Sequence, residues 1–78
     1  MQIQVNDTAN QFRGKIVEIV LGSVVSEIEV ETAWGKVASV ITTRAVRELG
    51  LEIGSEVIAF VKATDVAIGK PRDDRDLT

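Results

Sequence analysis

The run Val24-Val25-Ser26-Glu27-Ile28-Glu29-Val30-Glu31 decides the fold. Val24, Ser26, Ile28 and Val30 fall on one side of an extended chain, and Glu27, Glu29 and Glu31 on the other. A period of two with an acidic side predicts an antiparallel strand half-buried against a core. The three carboxylates read as a solvated face rather than as a metal or acid–base cluster.

Towards the N-terminus, Gly22-Ser23 predicts a turn, and Ile16-Val17-Glu18-Ile19-Val20-Leu21 a strand apolar on nearly both faces. Such a strand is expected to be covered twice, by its own core and by another subunit. Phe12-Arg13-Gly14-Lys15 leads into it. Before that, Asn6 to Gln11 is polar and rich in turn formers, whose side chains bond nearby backbone. Met1 to Val5 alternates, as a short edge strand or an arm pairing with a neighbour would.

Towards the C-terminus, Thr32-Ala33-Trp34-Gly35 predicts a hairpin connection, its glycine suited to positive φ. Trp34, the only tryptophan, is expected to cover a barrel end or a subunit contact. Lys36 to Ile41 forms the next strand. In Thr42-Thr43-Arg44-Ala45-Val46-Arg47-Glu48-Leu49-Gly50 a threonine can cap a helix start, Val46 and Leu49 share a face, and Gly50 stands where a helix ends. One to two turns hold only when packed. Leu51 to Ser55 turns the chain into Val57-Ile58-Ala59-Phe60-Val61, and Val66 to Gly69 reads as a last short strand. Residues 70–78 are charged and nearly devoid of apolar side chains, the composition of a disordered tail.

The predicted fold is all-β: five strands with one short helix between the third and fourth, over a single domain of residues 1–69. This order suits a small barrel of the oligonucleotide/oligosaccharide-binding (OB) type, with a sheet-and-helix roll as rival. Closure is favoured because it removes exposed edges.

Composition narrows the chemistry. Seventy-eight residues bury a modest core, and small folds need a staple. With no cysteine and no histidine, disulfides, thiolate metal sites and the usual neutral-pH base are excluded, leaving self-association as the staple. A net charge of −3 disfavours nucleic acid, and the strands offer no aromatic stacking platform. No stretch has transmembrane length, and the N-terminus lacks the pattern of a signal peptide, so a cytoplasmic protein with no membrane partner is expected. No nucleophile–base pair or glycine-rich phosphate loop is present, so an enzyme is not expected.

The strand from Val57 ends in Lys62-Ala63-Thr64-Asp65, delivering a cation, a small residue and a hydroxyl to a loop. That is a donor set for a small anion; a strand simply running out into solvent shares the pattern.

Four colinear stretches, Asn10 to Val17, Ala38 to Thr42, Leu49 to Val57 and Val61 to Val66, resemble the molbindin or Mop-type TOBE domain in order and spacing, over residues 7–69. The resemblance implies an OB-type barrel in a cytoplasmic hexamer, a trimer of dimers, that stores or buffers molybdate or tungstate at subunit interfaces and has no other cofactor. It implies a main oxyanion site at Lys62, Ala63, Thr64, Thr42, Thr8, Ala9 and Asn10. A second site near the three-fold axis is implied at Ser23, Val24 and Ser26. The chain departs from the family pattern where Asp7, Ala9 and Ala45 replace a serine, an arginine and a serine. Those losses frame the alternative, a Mop-type structural or regulatory module that keeps the assembly and not the anion.

Overall fold

The computed structural model describes residues 9–71, which contain four strands and one short α-helix. Strand β1 spans Ala9–Leu21, β2 Val25–Thr32, β3 Gly35–Thr42 and β4 Glu56–Lys62; helix α1 is Thr43–Leu49, between β3 and β4. They form a single curled antiparallel sheet in the order β3-β2-β1-β4.

The expected all-β class, the helix position and the hairpin hold, but the strand count is four. Among the described residues Val66 to Gly69 joins no strand: after a 3-10 turn at Ala63–Asp65 the chain stays outside the sheet. Ile68 is 89% exposed there. The expected arm at Met1 to Val5, Thr8 and most of the predicted tail lie outside the described residues.

β1 is longer than its apolar run predicts. Asn10 to Lys15, read as turn and lead-in, is strand, because β4 pairs with it along Ala9↔Lys62 to Lys15↔Glu56. Asn10 adds a side-chain bond, Nδ2 donating to the Val61 carbonyl at 3.2 Å. The other half of β1 pairs with β2, and the register slips between Ile16 and Glu18. This bulge admits Val17 as an extra residue and bends the strand, so that each half serves a different neighbour. The Ile16 backbone is tied instead to the β4 approach, its N–H donating to Ser55 at 3.0 Å and its carbonyl accepting from Gly54 at 2.7 Å.

The alternation in β2 lands as predicted, with Ser26, Ile28, Val30 and Thr32 buried. Val24 is the exception: it lies in the β1–β2 turn, 72% exposed. The glutamates face outward, where Glu31 sits between Lys15 and Lys36 across the sheet and Lys36 Nζ lies 3.8 Å from Glu29. Trp34 stands at the hairpin tip, 85% exposed, and covers no barrel end within the chain. The tip is held by Thr32, whose Oγ1 donates to the Gly35 carbonyl and accepts from the Trp34 N–H, and Gly35 takes φ 127°.

The helix ends are as the sequence predicts. Thr42 Oγ1 accepts from the Ala45 N–H at 3.0 Å. Gly50 is left-handed at φ 64°, its N–H donating to Arg47 and that of Leu51 to Val46. This paired closure lets Leu51 fold back towards Val46.

Among the described residues the buried apolar core is Ile16, Ile28, Val30 and Val46, with Ile19, Ile41, Leu51 and Val57 packed around it. Between the free edges β3 and β4 the curl leaves an apolar cleft of about 370 Å³, lined by residues such as Ile28, Val37, Ile41, Val57 and Phe60.

Candidate functional site

Two groups of the sequence-selected residues emerge, at opposite ends of β1. At the first end, Ala9 pairs with Lys62 and Asn10 with Val61, so these backbones adjoin the Lys62-Ala63-Thr64 loop. Lys62 ends β4, and Ala63 and Thr64 open the 3-10 turn. All three are exposed, and among the described residues Lys62 has no salt-bridge partner. One Asn10 Nδ2 hydrogen bond goes to the Val61 carbonyl, so Asn10 braces the end of β4 beside the loop.

The second end gathers Thr42, Ser23, Val24 and Ser26. Val25 pairs with Thr42 and Leu21 with Ser26, which brings the β1–β2 turn to the start of α1. Thr43 locks the two together. Its N–H donates to the Val24 carbonyl at 2.8 Å and its Oγ1 to the Gly22 carbonyl at 2.7 Å. With that proton committed, Ser26 Oγ donates to Thr43 Oγ1, also at 2.7 Å. Ser26 is 1% exposed, so its hydroxyl ties the fold together and does not face a ligand. Sequence reading missed Thr43; its only signal was a second threonine beside the cap.

Ser23, Val24 and Thr42 line a concavity of about 430 Å³ together with Arg44 and Arg47. Thr42 Oγ1 accepts from Ala45, which leaves its O–H free to donate outward.

Ala9 and Leu21, the ends of β1, are separated by up to about 40 Å of extended chain at roughly 3.3 Å per residue. By register, the Lys62 group lies at the Ala9 end of β1 and Thr42 at its Leu21 end. Among the described residues no group of three or more His, Cys, Asp or Glu could hold a metal ion, and no helix is long and apolar enough to cross a membrane.

The curled OB-like sheet places oxygen and nitrogen donors in the loops at its two ends. A TOBE domain profile matches residues 6–68, and the chain belongs to the TOBE domain family. It is 43% identical over 61 residues to a probable molybdenum-pterin-binding protein of Haemophilus influenzae, covering 77% of this chain and 88% of the relative. Identity is 45% over 60 residues to molybdenum-pterin-binding protein 2 of Clostridium pasteurianum, covering 76% and 88%. Among solved structures, apo MopII of Clostridium pasteurianum superposes with a TM-score of 0.75 at 44% identity, over 78% of this chain and 92% of that one. The molybdate-bound form of the cytoplasmic molybdate-binding protein ModG gives 0.76 at 35% identity, over 80% and 45%. A molybdate-binding protein from Sporomusa ovata gives 0.78 at 31% identity, over 90% and 100%.

Proposed function

We propose that this chain is an oligomeric oxyanion-binding protein that holds molybdate or tungstate between subunits, for storage or homeostasis in the cytoplasm. One observation carries the reading: the donor set is split between the two ends of β1. Lys62, Ala63 and Thr64, with the backbone of Ala9 and Asn10, adjoin at one end, and Thr42 lies at the other. The set is completed only when one end of a copy meets the opposite end of another.

Molybdate and tungstate are tetrahedral dianions that need donors and no proton transfer, so the site binds rather than catalyses. Lys62 supplies a charge-assisted contact, and the Thr64, Thr42 and Thr8 hydroxyls with nearby backbone N–H groups supply neutral ones. Relatives named for molybdenum-pterin or molybdate binding support the ligand class. Among the described residues, self-association is supported by the small buried core, the open cleft between β3 and β4, and the exposed apolar segment at residues 66–69. A hexamer built as a trimer of dimers is the assembly proposed. Because the anion lies at the interface, its binding stabilises the oligomer by mass action. Calorimetry with molybdate and tungstate tests the reading: saturable heat supports it, and the absence of both heat and thermal shift contradicts it.

The second reading, a TOBE assembly without an anion, is favoured by Ala45 at the helix start and by the absence of arginine at position 9. It predicts an oligomer whose size and melting temperature ignore both anions.

A further inference from the structure

We propose that residues 72–78 dock on the outer face of β1 and β4 and cover Lys62, so that the chain keeps a carboxylate over its own Lys62 loop. The register sets Arg13 beside Ile58, Gln11 beside Phe60 and Ala9 beside Lys62. Along β4, Ile58, Phe60 and Lys62 are exposed while Val57, Ala59 and Val61 turn inward, and Gln11 and Arg13 share the outer side. Lys15 on the same side has Glu31 across one flank and Glu56 across the other. Arg13 and Lys62 face no carboxylate across the sheet, and among the described residues neither is in a salt bridge. The face is thus two unbalanced cations flanking an exposed apolar pair, Ile58 and Phe60, on a chain of net charge −3.

Residues 72–78 match this face in charge and in length. Asp73, Asp74 and Asp76 supply carboxylates close together, and Leu77 is the one apolar side chain among them. Seven extended residues span about 23 Å, as long as β4 itself, so the segment can lie along the whole strand. The chain leaves the sheet at Lys62, and Gly69-Lys70-Pro71 holds residue types that reverse a chain before Arg72 begins. Arg44 and Arg47 belong to α1, which starts at the other end of β1, away from this exit. The segment lies beyond residues 6–68, the extent of the TOBE match, so the contact is this chain's addition to the domain. Lys62 carries the charge of the proposed oxyanion loop. A carboxylate seated on it must leave before a dianion enters, so binding is weakened by the fraction of chains in the docked state. That consequence rests on the proposed function; the docking itself does not.

The test compares the full chain with its Asp73→Asn/Asp74→Asn/Asp76→Asn variant by backbone NMR, at low salt and at about 0.5 M sodium chloride, which screens exposed charge pairs. The three aspartates lie outside the described sheet, and circular dichroism checks that the variant keeps its strand content. The amides of Gln11, Arg13, Phe60 and Lys62 are expected to differ between the two chains at low salt and to converge at high salt. The docking is overturned if no amide on this face differs, or if the differences fall at Arg44 and Arg47 instead. Cross-peaks between labelled and unlabelled copies would assign the contact to a second copy and overturn the contact within one chain. Calorimetry with sodium tungstate reads the consequence: the variant should bind about threefold to tenfold more tightly. Equal tungstate affinity beside differing amides overturns the competition at Lys62. Differing amides with no tungstate binding by either chain support the docking and count against the proposed function.

Discussion

Ser26 and Thr43, seventeen residues apart, share a buried hydroxyl–hydroxyl hydrogen bond of 2.7 Å, and the Thr43 hydroxyl donates in turn to the Gly22 carbonyl. The relay joins β2, the start of α1 and the β1–β2 turn, so one side chain sets the relation of three elements. Thr43→Val keeps the shape and removes both bonds. Leaving the Ser26 hydroxyl and Gly22 carbonyl without this partner should cost about 1–3 kcal/mol. Denaturant unfolding checks this through the midpoint, with an unchanged slope showing that the folded state is otherwise intact.

Gly14 lies where β1 changes partners, paired with both Thr32 and Val57. A Cβ there would strike the Glu31 carbonyl oxygen and crowd Val30. Gly14→Ala should therefore destabilise the fold by about 1–3 kcal/mol, the usual cost of overpacking. Denaturant unfolding checks this through its midpoint.

Strand β2, the hairpin and the capped helix were legible because each is specified locally. Ser26 to Thr32 alternates strictly, Gly35 marks a turn, and Thr42 and Gly50 bracket α1 with the side chain and the backbone freedom those ends require. What was not legible depends on distant partners. Asn10 to Lys15 looks like a polar lead-in until β4 pairs with it. Val66 to Gly69 has the composition of a strand but joins no sheet edge among the described residues. In the site, Lys62 was found from residue type and Thr42 from the family resemblance, but their placement at opposite ends of β1 was not, because it follows from strand register. Thr43 and the arginine pair were missed because a second threonine and two surface cations carry no distinctive local pattern.

Val66 and Ile68 are exposed, and among the described residues β3 and β4 are the sheet edges flanking an apolar cleft. Ile68→Asp places a charge where subunit contact is proposed and removes nothing from the buried core. Light scattering should show a shift to smaller species, with the strand content of the chain retained by circular dichroism. An unchanged mass would remove residues 66–69 from the interface.

Lys62 is exposed and free of salt bridges among the described residues, so its loss should leave stability within about ±0.5 kcal/mol, as for most surface changes. Its proposed contact with a dianion is charge-assisted. Lys62→Ala should therefore weaken tungstate binding by about tenfold or more, corresponding to roughly 1.5–3 kcal/mol. Competition calorimetry measures this, and an affinity equal to that of the unmodified chain would take Lys62 out of the site.

Native mass spectrometry of the full chain, titrated with tungstate, reads assembly and bound anion in a single spectrum. The proposed function predicts a hexamer that gains tungstate in discrete steps and, at dilution, survives better with the anion than without it. A monomer at micromolar concentration, or an oligomer that takes up no tungstate at saturating supply, would contradict the interface cage.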